Sequence, residues 1–598
     1  SGVKMHDETL VFPVECTKKA EGDAEVDVKT VSLIIYSKDN TDWKLLQGMP
    51  DGGCSNPSVV EWEEGKLMMM TACDDGRRRV YESGDMGESW TEALGTLSRV
   101  WGNKKDGKAK AVGSGFITAT IDGDDDKNVM LVTLPVYAEK DDEKGKLHLW
   151  LTDNTHIVDI GPVSREDDDA AASSLLYNSG ESTDGKLIAL YEKKKDGEKP
   201  SPGMVSVLLT EQLKRVKEVL TTWKEVDKSV SQLCTSLIAE KDRASTGDVC
   251  SADKITAGLV GFLSGNFSEN VWRDEYLGVN ATVNNKEGAS ASTVTSTDTG
   301  VKFTGRGAGA EWPVGKQGEN QLYHFANYNF TLVATVSIDG VPREGHTPIP
   351  LIGVRAGSNG NEKKTKLMEL SYNSGKKWHV LCGDGKTDEV SSTWETGTPH
   401  QVAILLRNGT QCSVYVDGQR VGNGECALGS GESKEISHFY IGGDGENADN
   451  KESRGDVSVT VRNVLLYNRP WDEAEITAFN PNKAPTPSPV NEPSQETAIE
   501  TSPGQGKAEP RQSMGSSKGA GSGGSTADGD PTVETREGGT DGQKEEIHAQ
   551  NGDVKAAALS SSLGNVSQGN DSDAGSVCGS GLLPLLLLLL GLWGLAAL

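Results

Sequence analysis

The sequence is short of cations. Lys and Arg number 60 against 88 Asp and Glu, for a formal net charge of −28. Phosphate binding is driven by basic side chains that neutralise the backbone, so nucleic acid is a poor candidate partner, and anionic membranes and polyanions are disfavoured too. The acidic residues are spread along the chain and serve solubility. The nine cysteines, Cys16, Cys54, Cys73, Cys234, Cys250, Cys382, Cys412, Cys426 and Cys578, contain no pair at the short spacing of a zinc site. No metal and no cofactor is expected. A positively charged segment with an apolar core is also lacking at the start, and Ser1 is no initiator. A secretory leader is therefore expected upstream.

What is present is clearest at the other end. Residues 582–598, LLPLLLLLLGLWGLAAL, form an uncharged apolar run with no basic flank after it. It sits at the short limit of the roughly 17–25 residues that cross a bilayer. A polar spacer precedes it, and before that come the small residues Asn570-Asp571-Ser572-Asp573-Ala574-Gly575. This order is a glycosylphosphatidylinositol-addition signal, with Asn570, Ser572 and Asp573 as candidate attachment residues. A single-pass tail anchor is the competing reading. The chain is expected on the outer leaflet of the plasma membrane, touching the bilayer only through lipid. That compartment is oxidising, and loss of Cys578 with the tail leaves an even number of cysteines, compatible with disulfides. Sequons at Asn266, Asn280, Asn329 and Asn408 fit a secreted glycoprotein.

Residues 1–205 hold short β-rich runs such as TLVFPVEC, TVSLIIYS and NVMLVTLPVY, separated by Gly, Asp and Asn turns. One of them ends in YESGDMGESW, in which Ser83, Asp85, Gly87 and Trp90 spell the Asp box of a propeller blade: Asp85 bonds turn amides, Gly87 supplies φ > 0, and Trp90 packs between strands. SKDNTDW at Ser37–Trp43 is a decayed copy one blade earlier, and repetition marks a radial repeat. Asp85 is thus structural rather than catalytic. Leu209, Leu213, Val216, Val219, Leu220, Trp223 and Val226 recur at helical spacing, which predicts a linker helix over 206–235 with its apolar face packed on domains either side. Cys234 and Cys250 could staple the loop that leaves it, in a connecting segment 236–262. Residues 263–478 return to alternating runs, among them HFANYNFTLVATVSIDG and HQVAILLRNGTQCSVYVDGQRVG, and read as a jelly roll of the laminin-G or concanavalin type, a fold that binds sugars or proteins at one rim. From 479 to 575 Pro, Ser, Thr, Gly and Glu dominate, a composition that cannot bury a core and predicts a disordered stalk before the 576–598 signal tail.

The run VTVRNVLLYNR, Val459-Thr460-Val461-Arg462-Asn463-Val464-Leu465-Leu466-Tyr467-Asn468-Arg469, matches the signature of the trypanosome trans-sialidase superfamily. RRRVYESGDMGESWTEALGTLSRVWG, LHLWLTDN and GCSNP resemble the same family, and the likeness spans about residues 1–478. It implies a mainly β protein: the C-terminal portion of a six-bladed sialidase propeller, a helix, and the jelly roll.

Active members of that family grip the sialic acid carboxylate with three arginines and attack the anomeric carbon with a tyrosine polarised by a glutamate, while an aspartate protonates the leaving oxygen. Carried onto this sequence, one triad arginine falls on Ala72 or Cys73, and a second on Lys144, which keeps the charge but loses the fork. Asp142 stands where the family has an acceptor-stacking tryptophan. The nucleophile falls on Ala172, its polarising glutamate on Glu192, and the glutamate after Gly-Cys-Ser on Asn56. The resemblance therefore implies a catalytically silent surface glycoprotein acting in adhesion, invasion and immune evasion, with host-cell or matrix glycoproteins, glycans or cytoskeletal proteins as partners. An active exo-alpha-sialidase or trans-sialidase is one alternative, and a complement-regulating or decoy antigen another. Two residue-level questions stay open. VTVRNVLLYNR is either a core strand or a contact surface in which Arg462, Asn463, Tyr467 and Arg469 offer a polar edge, and Arg77–Arg79 is either an anion site or a structural run whose members alternate faces.

Overall fold

The computed structural model describes residues 2–479, except 20–27, 47–51, 106–107, 122–126, 138–143, 180–184, 195–202, 238–251, 284–292, 298–299, 306, 316–319, 341–347, 358–364, 384–385, 429–434 and 446–456. Its N-terminal part is a succession of small antiparallel meanders. The first sheet holds Val3–Lys4, Leu10–Lys19, Val28–Ser37 and Lys44–Leu45, and the second Cys54–Glu63, Lys66–Cys73, Arg78–Ser83 and Thr91–Glu92. The third holds Gly115–Ile121, Lys127–Tyr137, Gly145–Thr152 and Ile157–Pro162, and the fourth Asp169–Asn178, Lys186–Lys194 and Gly203–Leu208. The arrangement is propeller-like. Where the C-terminal portion of a six-bladed ring is expected from sequence, the described residues carry four blade-like sheets.

The run Lys66–Cys73, KLMMMTAC, shows why such sheets stack. Side chains alternate across a strand. Leu67 and Met69 enter one apolar cluster with Val11, Ile34, Val59 and Tyr81, whereas Met68 and Met70 enter another with Val60, Val80, Trp101, Met130 and Val132. Both faces are apolar because each sheet packs against a neighbour on either side.

The hairpins between third and fourth strands carry the aspartates. Asp85 accepts from Ser83 Oγ at 2.7 Å, from Ser89 N at 2.9 Å and from the Ser89 hydroxyl, and Gly87 takes φ 89° with its N–H on Ser83 Oγ. Those bonds, the Ser89 hydroxyl foremost, hold the Asp85 carboxyl down at about 2. Asp39 repeats the arrangement with the N–H groups of Asp42 and Thr41, at 2.8 and 2.9 Å. A third copy lies in the LTDN turn, where Asp153 accepts from His156 N at 2.7 Å and Thr155 N at 3.1 Å.

A helix spans Thr210–Leu237. Its start differs from the expected residue 206, because 206–208 complete the edge strand of the fourth sheet, in which Met204 and Leu208 are exposed while Leu209 is buried. Leu213, Val216, Val219, Trp223, Val226 and Val230 all enter one apolar cluster. That cluster also contains Leu131, Leu149 and Tyr191 of the third and fourth sheets and Leu259, Tyr276, Leu405, Leu465 and Tyr467 of the C-terminal part. Short helices at Ala252–Thr256 and Glu473–Ala478 accompany it. The second is closed by a capping box between Asp472 and Glu475, a D-x-x-E pattern whose two partners are only three residues apart.

Among the described residues the C-terminal part forms one hydrogen-bonded antiparallel sheet of sixteen strands. It begins with Leu259–Ser268, earlier than the expected 263. Ser458–Tyr467 lies inside it, paired with Phe330–Gly340 on one side and with Gly300–Thr304 and Leu259–Ser268 on the other. Alternation again divides the apolar runs. Leu332, Ile404, Leu406, Val464 and Leu466 fill the domain's own core, while Val333, Ala403, Leu405, Leu465 and Tyr467 face the helix cluster.

Candidate functional site

The residues matched to catalytic positions gather where the second, third and fourth sheets meet. Asn56 takes φ 52° in an irregularity between Ser55 and Ser58, donates its N–H to a Glu15 carboxylate oxygen, and places Nδ2 3.2 Å from Ser55 Oγ. A Cβ built on Gly113 would lie 3.8 Å from the Ala172 Cβ and 4.0 Å from Asn56 Oδ1. Ser173 N also donates to Gly113 O at 3.1 Å. Asn56, Gly113 and Ala172 are therefore neighbours although far apart in sequence.

Glu192 stands beside them. Register runs Ala170↔Lys193 and then Ser173↔Tyr191, so Ala171 and Ala172 together oppose Glu192 in a bulge. Ala72 is buried, paired with Ser55 on one side and Arg78 on the other. Its neighbour Cys73 is bonded to Cys54 across the hairpin. Lys144 is half-buried and precedes Gly145, whose N–H reaches Asp169 Oδ1 at 2.7 Å. Asp142 lies outside the described residues.

The three consecutive arginines part company. Arg78, only 1% exposed, donates Nη2 to Val112 O at 3.2 Å, and burial lowers its pKa to about 10. Arg79 holds Asp75 at 2.8 Å. Arg77 faces Glu435 and Asp75. The run is thus built into the fold, with its members on different sides, as a strand requires.

The arrangement limits the chemistry. Ala172 has no nucleophilic atom, Ala72 and a disulfide-bonded Cys73 cannot bind a carboxylate, and Arg78 is sealed from solvent. Among the described residues no group of three or more His, Cys, Asp or Glu side chains is placed to hold a metal.

The sequence offers Cys234 and Cys250 as a pair and does not single out Cys54 and Cys73. The helix holds Cys234, but its side chain and all of Cys250 lie outside the described residues. Cys16 and Cys382 are disulfide-bonded, and Cys412 is a buried free thiol.

In the VTVRNVLLYNR strand, Arg462 alone is exposed. Val459, Thr460, Val461, Val464, Leu465, Leu466 and Tyr467 are buried, while Asn463, Asn468 and Arg469 are half-buried. The Tyr467 hydroxyl donates to Ile255 O at 2.8 Å. Arg469 grips Glu475 with two nitrogens, at 2.9 and 2.7 Å, and reaches Ala257 O at 2.7 Å. These two side chains are committed to the interior, so the polar edge reduces to Arg462 and Asn463. Of the sequons, Asn266, Asn280 and Asn408 are exposed, while Asn329 is half-buried and accepts from Asn408 N at 2.9 Å. Asn570, Ser572 and Asp573 lie outside the described residues.

Blade-like sheets, three of them carrying aspartate turns, together with a helix and a large second β region, define a sialidase-like protein. The profile of the BNR repeat-like domain matches residues 1–192, that of the trans-sialidase C-terminal domain residues 255–474, and that of the Trypanosoma trans-sialidase hydrophobic C-terminus residues 574–598. A sialidase of Trypanosoma cruzi is 36% identical over 466 residues, 77% of this chain and 36% of that protein. Sialidase 85-1.1 of the same organism is 36% identical over 82% of this chain and 60% of its own length. The structure of Trypanosoma rangeli sialidase with the inhibitor DANA is 37% identical, covers 80% of this chain and 69% of that one, and superposes with a TM-score of 0.65. The chain belongs to the trans-sialidase superfamily. It spans between about a third and three-fifths of the length of these two curated relatives.

Proposed function

We propose that the chain is a non-catalytic surface glycoprotein of this family, displayed on a lipid anchor and working in adhesion to host cells or matrix. What supports the reading is alanine, Ala172, at the position that the resemblance assigns to the nucleophile, with Ala72 or the bridged Cys73 at the position that it assigns to a carboxylate-binding arginine. Loss of the nucleophile removes the covalent route, and loss of a fork-shaped cation weakens the grip on a carboxylate. The finer architecture of the proposal is four blades of a six-bladed sialidase ring and a laminin-G or concanavalin-like jelly roll. On this reading the apolar C-terminal run is exchanged for lipid on the outer leaflet, and many weak contacts from one tethered surface add through effective concentration.

Two measurements test it. The whole protein should release no sialic acid from a fluorogenic sialoside above a heat-denatured control, and clear turnover would overturn the non-catalytic reading. The contact reading predicts that Arg462→Ala reduces binding to host cells while leaving the melting temperature unchanged, because its side chain stands in solvent. Asn463 takes φ 49°, so Asn463→Gly is the compatible partner change. Undiminished binding in both variants would assign the strand to the core alone.

A further inference from the structure

The contact between the propeller-like part and the C-terminal part contains a buried histidine that the proposed function does not use. His324 lies in the short 3-10 turn His324–Asn327 and is 4% exposed. Its Nδ1 lies 3.1 Å from Gln321 Oε1 and 3.5 Å from Asn327 Nδ2, and its Nε2 is buried with no hydrogen-bond partner. Two cations of the propeller-like part, Arg77 and Arg99, act on the ring electrostatically and disfavour its charged form. Their acidic companions there are Asp75 and Glu92, but Glu92 is already held by Arg99 at 2.7 and 3.0 Å, and Asp75 by Arg79 at 2.8 Å. From its own side the ring meets Tyr328 at 5.8 Å between centroids, and Glu435 faces Arg77 and Tyr328. Next to the histidine run hydrogen bonds that cross between the two parts, Gln321 N to Val100 O at 2.7 Å and Gly102 N to Asn320 Oδ1 at 3.3 Å. Leu322 completes the seam against Leu97, Val100 and Trp101.

We propose that His324 makes this seam an acid-sensitive latch, closed while the ring is neutral and weakened when protonation puts a charge on a buried ring whose Nε2 has no acceptor. The charged ring would carry an N–H at Nε2 that meets no acceptor, and of the carboxylates around it Glu92 is held by Arg99 and Asp75 by Arg79, while Glu435 acts on Arg77 and Tyr328. Burial, and then the charges of Arg77 and Arg99, push the His324 pKa down to about 4 in the closed arrangement, from an ordinary 6.5 when exposed. The sign follows from proton counting. The closed form binds fewer protons than the open one between those two values, so closure is fully stable above pH 6.5 and is lost as pH falls towards 4. Each pH unit in that window weakens closure by up to about tenfold.

Hydrogen exchange of the whole chain, with labelling times scaled to the intrinsic rate at each pH, reads the latch directly. The Gln321 and Gly102 amides should lose up to about tenfold protection per pH unit below 6.5. Core amides of the paired strands, at Leu332 and Ile404, should hold theirs. His324→Gln, which cannot take the proton, should leave Gln321 and Gly102 protected throughout. Flat protection in the native chain, or an equal loss in the variant, overturns the proposal. An NMR titration of the native His324 ring needs no variant. Its protonation should coincide with the loss of those two amides, and titration near its ordinary value with both amides still protected would equally overturn the latch.

Discussion

Replacing Trp223 by alanine is expected to lower the unfolding free energy by about 3–5 kcal/mol, the upper end of what a single core truncation costs. The indole is fully buried in the cluster shared by the third and fourth sheets, the helix and the C-terminal part. Its Nε1 donates to Tyr276 O at 2.9 Å, and its ring lies 4.9 Å from that of His156, which in turn stacks on Tyr276 at 4.2 Å. Truncation would open a cavity where the two β regions share their packing, and would leave the Tyr276 carbonyl without that donor. Both losses act on coupling between the regions as well as on stability. Urea unfolding followed by circular dichroism should shift to a lower midpoint and separate into two steps. Trp223→Phe should fall between native and alanine, since it keeps apolar volume but forfeits the hydrogen bond, worth about 0.5–1.5 kcal/mol. A loss below about 1 kcal/mol for the alanine variant would mean that the helix is not what joins the two regions.

Removal of the Cys54–Cys73 bridge is expected to cost about 3 kcal/mol, as closing a loop of that size restricts the unfolded chain. The two residues are separated by 19 positions and sit at facing ends of adjacent strands. Both are buried, so the paired alanine variant is a cleaner test than serine, which would bury two hydroxyls. The double variant should melt at a lower temperature than the native chain. Reductant should leave the native protein unaffected until denaturant exposes the bridge. If reductant alone lowered the melting temperature, the bridge would be open to solvent in the folded state.

Much of the architecture was legible because it rests on local chemistry. The Asp85 box declares itself through residues only a few positions apart, and its bonds to Ser83 and Ser89 are satisfied within the turn. Asp39 was legible as a weaker copy for the same reason. Asp153 escaped notice because its turn is shorter and lacks the glycine and tryptophan of the full box. The apolar spacing of the helix was read correctly, but its first turn was not, since Met204–Leu208 form an edge strand whose partner at Ile188–Glu192 is known only once the sheet exists. The disulfide was within reach. Cys54 and Cys73 flank the Glu64-Gly65 turn almost symmetrically, a pattern that becomes a bridge once the two runs are taken as one hairpin.

The candidate site divides in the same way. Sequence alone carries the resemblance that points to Ala72 or Cys73, Ala172 and Glu192, because identity and order belong to the chain. It also determined the acidic balance and the apolar terminal run. Only the tertiary structure decided that Ala172 and Asn56 both approach Gly113, that Arg78 is sealed inside, and that Tyr467 and Arg469 are engaged by other residues of the chain while Arg462 stands exposed. It decided too that His324 is buried where the two β regions meet, with no acceptor for its Nε2. The physical reason is range. Turn bonds and strand alternation act over a few residues and are written in local order, whereas burial, bulges and the meeting of sheets depend on long-range pairing, which a linear pattern does not encode.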